Sequence, residues 1–156
     1  MILSVVKEGF PITQKFGARP EFYKKYGMIG HDGIDYWTPT GTSVYAPFDW
    51  VVQVKDQWER GYWLYIVITE SEDLSERRQV YLAHLSKTLI KDWVAVKAWE
   101  EIARTGNSGN SSGSHLHQSI RRISSDWRVL NIENGMKWRE DIYEKNWILA
   151  YTPSAY

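Results

Sequence analysis

The sequence predicts an all-β domain, built mainly of antiparallel strands in a sheet or sandwich arrangement with a few short helices. Runs rich in β-branched and aromatic residues dominate the chain, and the segments between them have the polar, Pro and Gly content of turns. The four clearest strand predictions are Thr42–Val54, Tyr62–Thr69, Arg78–Ser86 and Ser114–Arg121. Helical periodicity is scarce, and we find neither a repeat nor a long linker, which favours one antiparallel domain.

Three further segments complete the predicted elements. Pro20–Gly27 begins with proline in the first-turn position and ends at glycine, as a short helix does. The stretch "VAVKAWEEIART" (residues 94–105) has the alternating start of a strand and is interpreted as two strand fragments rather than a helix. Arg139–Trp147 carries apolar residues at helical spacing and predicts a second helix.

Length and composition limit the architecture and the partners. With 156 residues we expect a single domain, with a core over about residues 12–122 and an aromatic-rich extension, 123–156, packed on it. Lys and Arg number 19, as do Asp and Glu, so no basic field exists to attract nucleic acid. Cysteine is absent, which excludes disulfides and thiolate ligands and leaves His and carboxylates to hold any metal.

The amino-terminal segment predicts neither a signal peptide nor insertion into a membrane. Its apolar run covers only five positions, 2–6, and no cationic residue precedes it. We therefore expect a protein made in the cytoplasm. Such a chain reaches a target outside the cell by assembly into a particle, by release through a damaged membrane, or after trimming from a longer native sequence.

Two short patterns place metal-binding side chains together. In a strand, residues two apart share a face, so His115 and His117 project to the same side. If "HDGIDY" is extended, His31, Gly33 and Asp35 also share a face, and Gly33 leaves space between the two possible ligands. Imidazole and aspartate are normal zinc ligands, and a three-ligand site with an open position is the catalytic form.

Each pattern taken alone also has a structural explanation. His84 in "VYLAHLS" is read as a hydrogen-bonded histidine at a strand end, and His31 with Asp35 as a surface pair. The doublet of His115 and His117 fits a metal site and a polar strand face about equally well. The combination of the three patterns favours a metal site.

Three motifs together resemble peptidase family M23, the lysostaphin-type or LytM-type zinc metallopeptidases. They are "HDGIDYWTPTGTSVYAPFDWVV", "YLAHLS" and "TGNSGNSSGSHLH", preceded by "ITQKFGARP", in the family's order from about Ile12 to Ile120. The resemblance implies a LytM-like fold of the duplicated hybrid motif type. It also implies that His31, Asp35 and His117 bind Zn²⁺, and that His84 and His115 stand beside the metal-bound water.

The resemblance implies further roles near the metal. One imidazole takes a proton as general base and the other assists the oxyanion or the leaving amine, but the sequence leaves open which of His84 and His115 is the base. Family members often carry a tyrosine ahead of the first ligand that supports the oxyanion. Tyr26 is assigned to that role, with Tyr23 and Tyr36 also near in sequence.

Several positions depart from the family pattern. Gln118 replaces an aromatic residue, Trp50 stands where a glycine normally begins a turn, and "KAWEEIA" (residues 97–103) replaces K-x-G-x-x-I-A. None of these touches an implied ligand. The extension has no family counterpart, and its tryptophans at 127, 138 and 147 either cap the β core or form an accessory wall-binding surface.

The expected function is zinc-dependent endopeptidase activity on peptide cross-links of bacterial peptidoglycan. The expected setting is a phage-type enzyme, for lysis or as part of a virion, with peptidoglycan peptide as partner and a monomer favoured. The alternatives are a non-catalytic M23-like binding or structural module and a sugar-binding β module built on the tryptophans. The first alternative is disfavoured because all five implied histidine and aspartate positions are kept, and the second leaves the histidine spacing unexplained.

Overall fold

The strands form one large sheet and one small sheet in the computed structural model, which describes residues 2–7, 9–57, 61–71, 73–130, 135–137, 139–141 and 148–149. The strands are β1 Ile2–Leu3, β2 Ile12–Gln14, β3 Ile34–Trp37, β4 Ser43–Tyr45, β5 Trp50–Asp56, β6 Leu64–Thr69, β7 Glu76–Ala83, β8 Leu85–Thr88, β9 Val94–Val96, β10 Glu101–Thr105, β11 His115–Ser124 and β12 Ile148–Leu149. Helix α1 spans Pro20–Tyr23 and continues as a 3₁₀ turn over Lys24–Tyr26.

The seven-stranded sheet has the order β2-β3-β11-β7-β6-β5-β9, and the three-stranded sheet has the order β4-β10-β8. Every pair in both sheets is antiparallel, whereas β1 and β12 form a separate parallel pair. The predicted all-β antiparallel fold with short helical segments is confirmed. Among the described residues, no helix has the length and apolar character needed to cross a membrane.

Side chains from both sheets fill the core. Alternating apolar residues on the strands are buried because this removes their surface from water, at about 25 cal/mol per Å². The core includes Val5, Val6, Ile34, Val44, Ala46, Val52, Ile66, Ile68, Val80, Leu82, Leu85, Val96, Ile102, Leu116 and Ile120. The long strand β11 lies between β3 and β7 and therefore forms the centre of the site described below.

Two predicted strands are each divided in the structure. Thr42–Val54 separates into β4 and β5, which belong to different sheets, with Pro47 between them. Arg78–Ser86 separates into β7 and β8 at His84, whose φ of 61° breaks the extended backbone. The side chains around this break do not alternate between the two faces of one strand, since Leu82, Ala83, His84 and Leu85 are all buried.

The other element predictions have mixed outcomes. The short helix from Pro20 and the two strand fragments within 94–105 are confirmed as α1 with its 3₁₀ turn, β9 and β10. The predicted helix over Arg139–Trp147 lies mostly outside the described residues. In the described part of the extension, Met136, Arg139 and Glu140 are buried.

Candidate metal centre

The register of two neighbouring strands brings the implied ligands together. In the β3–β11 pair, Asp35 lies directly opposite His117, and Trp37 lies opposite His115. Because opposite residues of an antiparallel pair have neighbouring side chains, the Asp35 carboxylate meets the His117 ring. His31 precedes β3, and two backbone hydrogen bonds hold it in place. Its N–H donates to the Ala18 carbonyl, and its carbonyl accepts from the Gly17 N–H.

Three ligand atoms converge at this point. Asp35 Oδ1 lies 2.8 Å from His117 Nδ1, and His31 Nε2 lies 3.0 Å from His117 Nδ1 and 3.2 Å from Asp35 Oδ1. A tetrahedral zinc ion with ordinary bond lengths holds its donors about 3.4 Å apart. The two nitrogens and one oxygen therefore fit a zinc ion after small outward shifts.

Gly33 makes room for this arrangement, as the sequence predicts. A Cβ atom at Gly33 would lie 2.6 Å from His117 Cε1, 2.8 Å from His117 Nε2 and 2.4 Å from the Gln118 carbonyl oxygen. No side chain is tolerated at such distances. The His117 ring thus occupies the space between His31 and Asp35 that the missing side chain leaves.

Both ligand histidines have a partner or a polar neighbour behind the ring. His31 Nδ1 donates to the Lys15 carbonyl at 3.2 Å, which leaves Nε2 free of its proton for the metal. On the far side of His117, Nε2 lies 3.5 Å from Asp32 Oδ1. Asp32 in turn accepts a 2.7 Å hydrogen bond from the Tyr62 hydroxyl.

Sequence reasoning missed Asp32 and Tyr62. In a regular strand, the Asp32 side chain would point away from the face shared by His31 and Asp35. Asp32 lies instead in a bend before β3, so this alternation does not apply to it. His31, Asp32 and His117 also form a buried group whose nearest ligand atoms lie within 4.8 Å of one another. The available signal was a second carboxylate inside "HDGID", but no periodicity indicates where its side chain lies.

The two remaining histidines lie next to each other at the edge of the ligand group. The ring centroids of His84 and His115 are 4.7 Å apart, and His115 Nε2 lies 3.8 Å from Asp35 Oδ1. His84 follows directly after Ala83, which pairs with His117, so the turn at His84 carries its ring to the site. All four histidines therefore form one cluster.

Carbonyl groups of the Gly/Ser/Asn loop (residues 106–114) fix the tautomers of both imidazoles. His84 Nδ1 donates to the Ser108 carbonyl at 2.5 Å, and His115 Nδ1 donates to the Gly113 carbonyl at 2.7 Å. In the neutral rings Nε2 is then the unprotonated nitrogen. Each ring can accept a proton at Nε2.

Burial, hydrogen bonds and neighbouring charges shift the pKa values of Asp35 and His84 away from their ordinary values. Burial acts to raise the pKa of Asp35, but hydrogen bonds from His117 and His31 outweigh it and hold that pKa well below its usual range. Burial, followed by the neighbouring His117 and His115, lowers the pKa of His84 to about 4. At neutral pH Asp35 is therefore charged and His84 is neutral, as a metal ligand and a proton acceptor require.

Of Tyr23 and Tyr26, the two tyrosines that precede the first ligand closely in sequence, Tyr23 is the one whose ring lies against that ligand. Its ring centroid lies 5.4 Å from that of His31, and its hydroxyl accepts a hydrogen bond from Gln14. Burial raises the pKa of Tyr23 to about 12, so the hydroxyl keeps its proton. Tyr26 lines the same cleft but is 42% exposed, and its role at the oxyanion stays a prediction.

The cluster lies at the floor of a cleft of about 520 Å³. One side is an aromatic wall formed by Phe22, Tyr23 and Tyr26, and the other is a loop wall formed by Asn110, Ser111 and Ser112. The loop wall is fixed to the β5–β6 connection, since Asn110 N–H donates to the Gly61 carbonyl at 3.0 Å. The cleft can hold an extended peptide with its backbone above the histidines.

Comparison with known proteins gives consistent matches. The sequence model of peptidase family M23 matches residues 29–131. The peptidoglycan DD-endopeptidase ShyB of Vibrio cholerae is 34% identical over 110 residues, covering 70% of this chain and 24% of ShyB. The catalytic domain of the prophage-encoded M23 protein EnpA from Enterococcus faecalis is 26% identical, with a TM-score of 0.62 over 84% of this chain and 95% of that domain. A zinc-containing peptidase from Vibrio cholerae is 26% identical, with a TM-score of 0.63 over 88% of this chain and 40% of that protein.

The family match covers more than half of the chain, and the similar structures have the same fold. The chain spans between 18% and 36% of the length of the first three curated relatives that it matches. Metalloprotease relatives and the donor set of the cluster imply zinc as the metal. The resemblance in the sequence is thus confirmed, and the chain belongs to peptidase family M23.

Proposed function

We propose that this chain is a zinc-dependent endopeptidase that hydrolyses peptide cross-links of bacterial peptidoglycan. The observation that carries the proposal is the convergence of His31 Nε2, Asp35 Oδ1 and His117 Nδ1 within 3.2 Å, beside the imidazoles of His84 and His115. Three protein ligands with an open side are typical of catalytic zinc. ShyB, a peptidoglycan DD-endopeptidase, supports the choice of substrate.

The residues divide the work of peptide hydrolysis. Zinc bound to His31, Asp35 and His117 supplies Lewis-acid activation of water and of a peptide carbonyl. His84 and His115 each offer an unprotonated Nε2 that can take a proton and later return it to the leaving amine. Their Nδ1 bonds to loop carbonyls hold both rings in this tautomer during the proton transfer.

His115 is favoured as the general base because its ring lies nearer the ligand atoms. Its Nε2 lies 3.8 Å from Asp35 Oδ1, whereas the centroid of the His84 ring lies 6.0 Å from that of the ligand His117. The lowered pKa of His84, caused first by burial, makes it a weaker base than an ordinary histidine. We therefore assign the general base to His115, and to His84 the role of accepting a hydrogen bond at its unprotonated Nε2 from the reacting water or the leaving amine.

The cleft walls fit an extended peptide substrate. On the loop wall, hydroxyl and amide groups at Asn110, Ser111 and Ser112 offer hydrogen bonds to a peptide backbone. On the opposite wall, the aromatic rings offer flat apolar contact for side chains. Water is displaced from the floor when a peptide lies between the walls.

A phage-type setting is part of the proposal. EnpA, a similar structure, is a prophage-encoded protein, and its catalytic domain is matched over 95% of its length. We propose that this chain acts on the cell wall after release from the cell or as part of a virion.

Digestion of purified sacculi tests the proposed activity. Sacculi from several wall types are incubated with the zinc-loaded protein, with and without a chelator, and the released ends are identified by mass analysis. We expect chelator-sensitive release of new amino ends at peptide cross-links, and none with His115→Ala. Intact cross-links in every wall type, with zinc bound at one ion per chain, would contradict the proposal and favour a non-catalytic wall-binding module.

A further inference from the structure

The back of the His117 ring holds a buried polar atom that the proposed chemistry does not use. If Nδ1 binds the metal, Nε2 must carry the proton of the neutral ring. His117 Nε2 is buried and makes no hydrogen bond of ordinary length to any described residue. A buried N–H without an acceptor destabilises the folded protein, so an acceptor placed near this nitrogen would stabilise the ring in its position.

Asp32 lies within reach of this nitrogen. Its Oδ1 is 3.5 Å from His117 Nε2, and a shift of about 0.5 Å brings the pair into ordinary hydrogen-bond range. Asp32 is only 8% exposed, so little water competes for the carboxylate. Its other oxygen, Oδ2, accepts the 2.7 Å hydrogen bond from Tyr62.

Tyr62 also contacts the histidine directly. The two ring centroids lie 5.1 Å apart with 31° between the planes, so the Tyr62 ring covers one face of His117. Gly33 packs so closely against the His117 ring that a Cβ atom at this position would lie 2.6 Å from His117 Cε1. The ring is therefore confined by packing, and Asp32 lies where its one free N–H points.

We propose that Asp32 and Tyr62 are positioning residues that orient His117 for metal binding: Asp32 accepts a hydrogen bond from the Nε2–H group of His117, and the Tyr62 hydroxyl holds Asp32 by donating a hydrogen bond to it. The inference rests on the proposed function, because it takes His117 as a metal ligand. A carboxylate behind a ligand histidine fixes its tautomer and ring angle and strengthens its donor nitrogen. Lys15 has the corresponding role for His31, through its carbonyl group.

A direct metal-ligand role for Asp32 is the competing explanation, because His31, Asp32 and His117 form a compact group. One imidazole cannot direct both nitrogens at one ion. Nδ1 is the nitrogen near His31 Nε2 and Asp35 Oδ1, at 3.0 Å and 2.8 Å, whereas Asp32 lies on the Nε2 side. The geometry thus places Asp32 behind the ligand and not beside the ion.

Zinc affinity distinguishes these roles without depending on hydrolysis. Affinity is measured by competition with a chromogenic chelator for the wild type and for Asp32→Ala, Asp32→Asn, Tyr62→Phe and Asp35→Ala. We expect Asp32→Ala to weaken zinc binding about 10- to 100-fold. Asp32→Asn keeps an acceptor oxygen and should lose less, and Asp35→Ala should lose measurable binding. In a protein that already carries Asp32→Ala, the further change Tyr62→Phe should weaken zinc binding little more, because the Tyr62 hydroxyl acts through Asp32.

Matched controls separate positioning from general damage. Asp73→Asn removes an exposed carboxylate whose described hydrogen bonds are only to Ser71. Tyr65→Phe removes the hydroxyl of a half-buried tyrosine that packs against Tyr62. Both should bind zinc as the wild type does. If Asp32→Ala fails to fold, Asp32→Asn and Tyr62→Phe still test the inference.

The outcomes are distinct. The positioning role is overturned if Asp32→Asn and Tyr62→Phe both bind zinc with wild-type affinity and Asp32→Ala, where it folds, does so as well. A loss in Asp32→Asn as complete as in Asp35→Ala overturns it in favour of a direct ligand. A wild type that binds no zinc overturns the proposed function, and this inference falls with it.

An independent observation concerns the tryptophans. Five of the six tryptophans with a described backbone have positive φ: Trp50 at 135°, Trp63 at 49°, Trp93 at 58°, Trp99 at 65° and Trp127 at 69°. Such values are rare outside glycine, and they are genuine outliers for bulky residues. Trp37, in strand β3, is the exception.

Two of these positions also stand at family glycines. In the sequence patterns above, Trp50 occupies the glycine of a turn, and Trp99 occupies the glycine of K-x-G-x-x-I-A. We propose that the five positions are glycine in the protein as its natural host makes it. The pattern is explained if these five codons are UGA, which is read as tryptophan in one genetic code and as glycine in another.

Trp93 and Trp37 form a matched pair for the test, because they are 60% and 49% exposed but differ in backbone conformation. We expect Trp93→Gly to raise the Tm by about 2–4 °C and Trp37→Gly to lower it. The intact mass of the protein from its natural source should match glycine at the five positions. A mass that retains the tryptophans, or an equal fall in Tm for both variants, overturns the proposal.

Discussion

The ligand group and the pair of imidazoles beside it are held by different parts of the molecule. Asp35 and His117 are opposite residues on paired strands, and their positions are fixed by the register of the large sheet. His84 and His115 have their rings fixed by carbonyls of the Gly/Ser/Asn loop, at Ser108 and Gly113. The sheet register therefore places two of the three ligands, while the loop orients the rings of the two imidazoles assigned to proton transfer, of which His115 also lies in β11.

This difference shows how the two functions can be separated by substitution. A change in a ligand or in the sheet around it removes the metal, and with it all activity. A change in the loop or in the imidazoles leaves the metal and removes the proton transfer.

The largest effect is expected for Asp35→Ala. Removing the carboxylate leaves two nitrogen donors, which is too few for tight zinc binding. Zinc content, measured by elemental analysis after dialysis, should fall from about one per chain to near zero, and hydrolysis should fall to background. Asp49→Ala, which removes an exposed carboxylate far from the cluster, should keep both zinc and activity.

Replacing the imidazoles should separate rate from metal binding. His115→Ala should lower the rate of cross-link hydrolysis about 10²- to 10⁴-fold, the usual contribution of a general base. Zinc content should stay at the wild-type value, because His115 is not among the three converging ligands. Full activity in this variant, with the metal in place, would remove His115 from the mechanism.

Gly33→Ala tests the packing of the sheet around the ligands. The new methyl group would overlap the His117 ring and the Gln118 carbonyl, so the strands must shift apart. We expect a loss of about 1–3 kcal/mol in the free energy of unfolding and weaker zinc binding. Gly9→Ala is the control, since a Cβ at Gly9 meets no atom within 4 Å. Equal stability of the two variants would contradict the packing argument.

The pH dependence of stability tests the environment of His84. Burial and the neighbouring His117 and His115 lower its pKa from 6.5 to about 4 in the folded protein. Between these values the unfolded chain binds a proton that the folded chain does not, so stability falls as the pH falls. In the zinc-free protein, urea unfolding at pH 7 and pH 5 should show a smaller loss for His84→Gln than for the wild type. The same loss in both proteins would mean that His84 is not buried as described.

The smallest effect is expected for Ser111→Ala on the loop wall. Ser111 Oγ lies 3.0 Å from His115 Nδ1 and also donates to the Gly113 carbonyl, so it supports the carbonyl that orients the ring. One such hydrogen bond contributes about 1 kcal/mol, which corresponds to a few-fold loss of rate. Steady-state hydrolysis with zinc content measured in parallel checks this, and a drop in zinc would contradict the separation of loop and sheet.

The sequence predicts the chemistry of the site better than its supports. His31 and Asp35 could be paired by assuming an extended segment in which residues two apart share a face, and the family resemblance joined His117 to them. In the structure only Asp35 lies in β3, while His31 and Gly33 precede the strand in an irregular segment. Asp32 lies in a bend before the strand, where no periodicity predicts the direction of a side chain, and Tyr62 reaches it across 30 positions of sequence.

The fold shows the same division between periodic and irregular parts. The strand runs are visible as β-branched and aromatic residues, and Pro47 marks one break because it has no backbone N–H to pair, whereas the break at His84 has no such residue. His84 has the left-handed backbone that separates β7 from β8 and carries its ring to the cluster. A single-residue turn of this kind leaves no periodic signal in a run of apolar residues.

The most direct test of the central claim is a crystal structure of the zinc-loaded protein with anomalous data at the zinc edge. One ion should be bound by His31 Nε2, Asp35 Oδ1 and His117 Nδ1 at about 2.0–2.2 Å, with Asp32 behind the His117 ring. Zinc bound instead through Asp32, or no zinc peak among the four histidines, would contradict the account.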